Sequence, residues 1–154
     1  MAARPIRGGT VVVVPGEPGA VLAALLDPAT LRRAVPAAES VERVGEGRYR
    51  AVIAVGVGLL SVRQVAEMTI GAGTEARPGC RALVATGRSS GALAWGEATG
   101  EALLEPCEGG RTRITWRYEG VVGGAAALAG DAALGLAARG FAARFFGNVR
   151  RVLG

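Results

Sequence analysis

Two periodicities divide this chain. Between Ser40 and Val122 apolar and polar residues alternate with a period of two, as in half-buried strands. Near the C-terminus the period becomes that of a helix. Leu134, Ala138, Phe141, Ala142, Phe145, Val149 and Val152 fall on one stripe, the i, i+3, i+4 pattern of a core-facing helix. Phe146 and Leu153 widen one edge of that stripe. Arg139 and Arg150 lie on one polar flank, Arg144 and Arg151 on the other. All three phenylalanines of the chain are in this helix.

The segments before it order themselves by their breaks. Ile6–Val14 is rich in β-branched residues and stops at Pro15-Gly16, which predicts a first strand. Pro18 suits the opening of a helix, and Val21–Leu26 runs to Asp27-Pro28. Thr30 is placed to cap a second short helix, Leu31–Ala34, which Pro36 ends. Ser40–Val44 is a short strand, turned at Gly45-Glu46-Gly47. Tyr49, Ala51, Ile53, Val55 and Val57 share one face of the next strand, which Gly58 breaks. Val62, Gln64, Ala66, Met68 and Ile70 share a face of the following one. Gly71–Gly79 reads as a loop. Arg81, Leu83, Ala85 and Gly87 alternate with Ala82, Val84, Thr86 and Arg88, and Ser89-Ser90-Gly91 is expected to turn the chain. Leu93–Glu105 is another strand, Glu108-Gly109-Gly110 another turn. Ile114, Trp116, Tyr118 and Val122 then alternate with Thr115, Arg117, Glu119 and Val121. Hairpin links imply an antiparallel sheet, and about seven strands served by one long helix must curl to be covered. The expected class is α+β, a single domain over residues 1–154.

Composition narrows the chemistry. The chain has no His and no Lys; all 18 basic residues are Arg. That excludes a Ser-His-Asp triad, a Cys-His dyad, a His-based metal site, a Schiff-base lysine and a P-loop lysine. Cys80 and Cys107 are too few for a zinc site and suit a reducing compartment; they lie at the ends of adjacent strands, where a disulfide is the alternative to a reduced pair. No metal or cofactor is expected. The +5 charge is too scattered for a nucleic-acid footprint, and stacking platforms are absent. Pro15 cuts the run Val11–Val14 far below a signal-peptide core of about 7–15 residues. Val121–Ala138 is mostly Ala and Gly, weaker than the roughly 20 strongly apolar residues that span a bilayer. The expectation is a cytoplasmic protein, with contact at the inner membrane face the only membrane role open to it.

The order of strand, two short helices, six-strand meander and long helix resembles the helix-grip fold, also called START-like or Bet v 1-like. The residues resemble one branch of that superfamily, the CoxG family, named for the G subunit of carbon monoxide dehydrogenase. The resemblance rests on Val21–Leu25 with Asp27-Pro28, Leu31, Val35-Pro36 and Glu39-Ser40. It also rests on Tyr49-x-Ala51, on Val55-x-Val57-Gly58, and on Val122-Gly123-Gly124 with Phe145-Phe146. This chain departs from the family pattern at Leu22, where Trp is usual, at Ala37-Ala38 for Gly-Cys, and at Leu59 for Pro. The resemblance implies a non-enzymatic role. It implies a hydrophobic cavity for a lipid or quinone, and service to carbon monoxide dehydrogenase or a related molybdenum hydroxylase near the membrane.

A sheet wrapped on a helix leaves a gap where its inward side chains are small. Ala51, Ala66, Ala85, Gly87, Ala98, Gly100 and Ala102 face inward by strand parity. A fully packed core is the alternative. The expected pocket is lined by Met68, Leu83, Ala85, Trp116, Tyr118, Leu134, Phe141 and Phe145, with Gln64 and the Tyr118 hydroxyl as polar handles. Gln64 is either a ligand contact or an amide satisfied by backbone. Phe141 and Phe145 are expected to decide between carrier and solid core, and Phe146 to seal the helix to the sheet. Arg81 is expected to reach solvent from a strand end.

Two rival functions stand beside the carrier. One is a ligand-free adaptor that docks a hydroxylase or the membrane through Arg139, Arg144, Arg150 and Arg151, or through the outer sheet face. The other is a cyclase-type enzyme using Glu67, Glu97, Glu101, Glu119 or Tyr118. Those carboxylates alternate onto the outer face with Arg63 and Arg117, which favours cross-strand surface pairs. Val52, Ala54, Gly56, Val65 and Leu103 make that outer face more apolar than usual, a surface a homodimer could use.

Overall fold

The structure is a computed structural model that describes residues 3–57, 60–73 and 77–154. The order is β1 (Arg4–Pro15), α1 (Pro18–Leu25), α2 (Pro28–Ala34), β2 (Ala38–Gly45), β3 (Arg48–Val57), β4 (Leu60–Ala72), β5 (Arg81–Gly91), β6 (Ala94–Cys107) and β7 (Arg111–Gly124). A single 3-10 turn (Ala125–Leu128) leads into α3 (Asp131–Leu153). The seven strands form one sheet in the order β1-β7-β6-β5-β4-β3-β2, antiparallel throughout. The meander is as read from the alternation; β1 closes it by pairing with β7.

Several local expectations shift. Strand one is longer at both ends. The cap of α2 is Asp27, not Thr30: its carboxylate accepts from the Ala29 N–H at 3.3 Å and from the Thr30 hydroxyl at 3.2 Å. Ser89-Ser90-Gly91 stays in β5, paired with β4 and β6, so the chain turns two residues later. Gly71 and Ala72 likewise extend β4. The break at Gly58 and the Leu59 position lie outside the described residues, as do the side chains, and so the faces, of Val55, Gly56, Val57 and Val62.

The core sits at one end of the sheet, under α1, α2 and the C-terminal half of α3. Val14, Val21, Leu25, Ala34, Leu83, Leu104, Ile114 and Val149 form one buried cluster. Leu31, Val41, Tyr49 and Ala51 form a second, and Ile70 and Phe145 pack against both. Buried polar atoms there are tied to backbone, as desolvation demands. The Tyr49 hydroxyl donates to the Leu26 carbonyl at 2.6 Å, Thr112 to Gly16 at 2.7 Å, and Asn148 Nδ2 to Ala34 at 3.0 Å. The last of these fixes α3 to α2. At the other end of the helix Arg4 Nε donates to the Ala127 carbonyl at 2.8 Å, and its guanidinium meets Asp131 at 3.2 Å.

One glycine sets how closely two strands can approach. A Cβ at Gly120 would lie 2.0 Å from the Glu97 carbonyl oxygen and 2.7 Å from the Ala98 Cα, both backbone. Gly120→Ala is expected to force β6 and β7 apart and cost about 1–3 kcal/mol. A fall in the urea midpoint would show it; an unchanged midpoint would mean the strands yield freely.

The outer face is charged and ordered. Glu42, Arg50, Glu67, Arg88 and Glu97 stand opposite one another in register across five strands. Arg117 pairs with Glu101, and Arg63 with Glu39 at 2.9 Å. These are the cross-strand surface pairs the alternation anticipates. Val52, Ala54, Val65 and Leu103 on this face are half-buried. Cys80 is buried, Cys107 half-buried, and both are free thiols. Arg81 is exposed.

Candidate functional site: the concave face under α3

Strand register assembles the site. Three neighbouring rows of inward positions cross the middle of the sheet. One runs Ala66, Ser89, Gly96; the next Gly87, Ala98, Gly120; the third Ala85, Gly100, Tyr118, Gly8. Apart from Tyr118 every position is Gly, Ala or Ser, so the floor of the concave face is flat and low. All of them are half-buried and not sealed. A Cβ built at Gly87 would meet only the Glu67 carbonyl oxygen and Met68 Cγ, each at 3.6 Å, and both belong to the adjacent strand. No atom of α3 comes within 4 Å of that point. At Gly87 the sheet is therefore not in contact with the helix.

The walls of this floor come from larger residues. Tyr49 and Met68 continue the middle row on one side and Ile6 on the other. Below the floor lies an aromatic stack. Trp116 and Tyr118 are parallel at 5.4 Å, Trp116 and Phe146 lie 5.3 Å apart, and Phe145 meets Phe146 edge-on at 5.1 Å. The Tyr118 ring covers Gly8, where a Cβ would come 2.8 Å from its hydroxyl. In the N-terminal half of α3, Leu134 and Ala138 are half-buried on the same side of the helix as buried Val149.

The residues predicted to line a pocket divide accordingly. Ala85, Met68, Trp116 and Tyr118 lie on or beside this floor, half-buried, and Leu134 is half-buried on α3. Leu83 belongs to the buried cluster instead. Phe145 is held by both clusters and stands as a core hub. Phe141 is 41% exposed and is a member of neither buried cluster. Phe146 touches Trp116 of β7, the helix-to-sheet contact expected of it. The Gln64 amide is tied down: Nε2 donates to the Ala94 carbonyl at 3.1 Å, and the side chain lies across Gly91. Its donor is thus spent on backbone.

Sequence reasoning passed over two features. Tyr49, read only as one of an alternating face and as part of the Tyr49-x-Ala51 resemblance, is a buried anchor. Trp95, 40% exposed, lies over Gly123, whose Cβ would fall 2.1 Å from the indole. The Gly-Gly pair opposite a Trp was the available signal. Leu93 and Leu128, exposed at 44% and 75%, lie at the same end of the sheet, where the Ala125 N–H donates to the Leu93 carbonyl.

Among the described residues one buried side-chain polar atom has no partner. Trp116 Nε1 is buried without an acceptor, which costs about 1–3 kcal/mol. Trp116→Phe keeps the ring stack and removes that donor. Its unfolding midpoint is expected to equal or exceed the parent's in chemical denaturation. A clear loss would mean that the indole N–H is satisfied in the folded protein.

Two open depressions, of about 510 and 740 Å3, lie on the convex side of the sheet. Arg48, Arg50, Glu67, Thr69, Arg88 and Glu97 line the first, and Arg7, Thr99, Glu101, Arg117 and Glu119 the second. The charged lining of the first suits water or ions better than an apolar molecule; Val84, Gly100 and Tyr118 also line the second, and Met68 and Gly87 the first. Glu67, Glu97, Glu101 and Glu119 are all exposed there, away from the groove.

Residues 11–154 match the family profile of CoxG, the G subunit of carbon monoxide dehydrogenase. None of the curated protein sequences matches the chain. Among solved structures, a conserved protein from Geobacillus kaustophilus is similar over 96% of this chain and 95% of its own, at 25% identity and a TM-score of 0.79. The ZhuI aromatase/cyclase from Streptomyces sp. R1128 is similar over 99% of this chain and 94% of its own, at 18% identity and a TM-score of 0.65. Ara h 8.0201 is similar over 99% and 98%, at 14% identity and a TM-score of 0.60. The last two share the fold with this chain. Among the described residues no helix is long and apolar enough to cross a membrane.

Proposed function

This chain belongs to the CoxG family, that of the carbon monoxide dehydrogenase G subunit, and from that premise we propose that it carries an apolar small molecule, a lipid or a quinone, in the groove beneath α3. It does so without catalysis, in the service of a carbon monoxide dehydrogenase or a related molybdenum hydroxylase, and meets the membrane only peripherally. The observation that carries the binding part is the uncovered floor at Gly87, Ala98 and Gly100. A protein that needed only a stable core would fill that space, since interiors are close-packed. Aromatic faces at one end and small aliphatic residues along the floor suit a flat or chain-like apolar body. The partner part rests on the family alone.

The cyclase reading has less support. The likeness to an aromatase/cyclase is one of fold, and the carboxylates that could do acid-base work are on the other side of the sheet. Native mass spectrometry of protein purified from its own host, with extraction and identification of bound lipid, tests the carrier reading. Titration with the apolar fluorophore N-phenyl-1-naphthylamine tests it a second way. A lipid or quinone adduct, or saturable probe binding, supports it. Ligand-free protein that also leaves the probe dark overturns it.

A further inference from the structure

The exposed apolar residues of this chain are not scattered. Among the described residues every exposed Leu, Trp and Phe falls on one of three segments. Leu93 and Trp95 are at the β5–β6 connection, Leu128 is in the 3-10 turn, and Leu136 and Phe141 are in the first half of α3. The other exposed large apolar residues are the valines Val11, Val44 and Val84, one each on β1, β2 and β5.

The topology brings four of the five to one end of the sheet, where β5 and β7 end and β1 and β6 begin. The Ala125 N–H donates to the Leu93 carbonyl at 2.7 Å, which ties the 3-10 turn to the β5–β6 connection. Arg4, the first residue of β1, holds the Ala127 carbonyl and Asp131, so the turn and the start of α3 are tied to the same end. Leu136 lies about one and a half turns into α3. Phe141 stands further along the helix, towards the core.

Charge is missing from this rim. Across residues 91–96 and 120–138 the one side chain with a charge, a hydroxyl or an amide is Asp131, and Arg4 takes it up. Elsewhere the outer face of the sheet sets Arg and Glu opposite one another in register. The rim therefore loses little on leaving water, and its leucines gain.

We propose that this rim dips into the surface of a phospholipid leaflet, so that the protein stands on a membrane with that end of the sheet down. A protein partner, or a second copy of this chain, would need about ten hydrogen bonds across a standard interface to fix its register. The rim has no side chain left to make them. A fluid leaflet asks for no register. It takes leucine side chains into its apolar boundary and an amphipathic indole at headgroup level, which Leu93, Leu128, Leu136 and Trp95 supply. The first charge beyond the rim on α3 is Arg139, a cation, which suits anionic headgroups as an accessory to the insertion and not as its source. The use of this contact for ligand exchange rests on the carrier reading: an apolar ligand would pass between leaflet and concave face without crossing water.

The test uses the full chain, the rim variant L128Q/L136Q and the control V11Q/V44Q, none of which changes the charge. Leu128 and Leu136 are 75% and 65% exposed, so their replacement leaves the core untouched. Co-sedimentation with vesicles of phosphatidylcholine and phosphatidylglycerol measures binding, and brominated phosphatidylcholine reports depth by quenching Trp95. The rim variant is expected to bind about tenfold or more weakly, the control within about twofold of the parent. Binding of the parent should fall less than about threefold between about 0.05 and 0.5 M salt, since it is not carried by charge. Quenching by the brominated lipid should vanish in Trp95→Phe. Absence of vesicle binding, equal losses in both variants, or binding abolished by salt would overturn the proposal. So would light scattering that shows a dimer which L128Q/L136Q dissociates, since the rim would then belong to a second copy. Vesicle binding by protein that leaves N-phenyl-1-naphthylamine dark would uphold the docking and overturn the carrier reading alone; probe binding without vesicle binding would do the reverse. Circular dichroism of both variants checks that the fold is kept.

Discussion

Replacing Gly87 by leucine is expected to empty the groove of ligand while leaving the fold as stable as before, or more so. Gly87 lies in the middle row of the floor, between Met68 and Ala98, with ordinary backbone angles. A Cβ there meets two atoms at 3.6 Å, an ordinary contact, so the new side chain starts without a clash. It then rises into the space that the helix does not fill. Glycine inside a strand is costly by roughly 0.5–1 kcal/mol, and leucine recovers that and buries some apolar area. The volume it takes is volume a ligand would need. Binding of N-phenyl-1-naphthylamine, or of the natural ligand, is expected to fall about tenfold or more while the thermal midpoint holds or rises. Loss of both binding and stability would mean that the floor is in fact covered. Unchanged binding would place the ligand elsewhere.

This prediction could be half written from sequence. Strand parity put Ala51, Ala66, Ala85, Gly87, Ala98, Gly100 and Ala102 on one face, and the register keeps them there. Alternation is a local signal, fixed by the pleat, so it survives into the fold. What it could not give was lateral order. That Gly8 joins the same floor follows only from β1 pairing with β7 across more than a hundred residues of chain. The helix stripe was legible as a face but not as a depth. It treats Phe141 and Phe145 alike, although one turn of helix separates a solvent-facing ring from a core hub. The difference is made by which sheet residues lie opposite, and that is a property of the assembled molecule. Gln64 shows the same limit. Its apolar neighbours suggested an inward amide, but its acceptor, the Ala94 carbonyl, is thirty residues away.

Phe145→Ala is expected to be among the most damaging single substitutions in α3, and Phe141→Ala among the mildest. Phe145 packs against both buried clusters and sets its ring edge-on to Phe146 at 5.1 Å. Removing it opens a cavity where α2, β3 and the central strands meet, and loosens the contact that holds Phe146 on Trp116. Such truncations cost about 3–5 kcal/mol when the site cannot collapse. For a chain of this size that lowers the thermal midpoint by roughly 10 °C or more. Phe141, 41% exposed and outside both clusters, has little packing to lose, and its truncation should stay within about 1 kcal/mol. Thermal unfolding followed by far-UV circular dichroism measures both. The contrast matters more than either value. Similar losses would mean that α3 lies on the sheet along its whole length, and a groove beneath its N-terminal half would then have no room to exist. A large loss at Phe145 with almost none at Phe141 locates the anchor of the helix in its C-terminal half. The other half is then held over the floor chiefly by Arg4, through Ala127 and Asp131, and that end is where a ligand would have to enter.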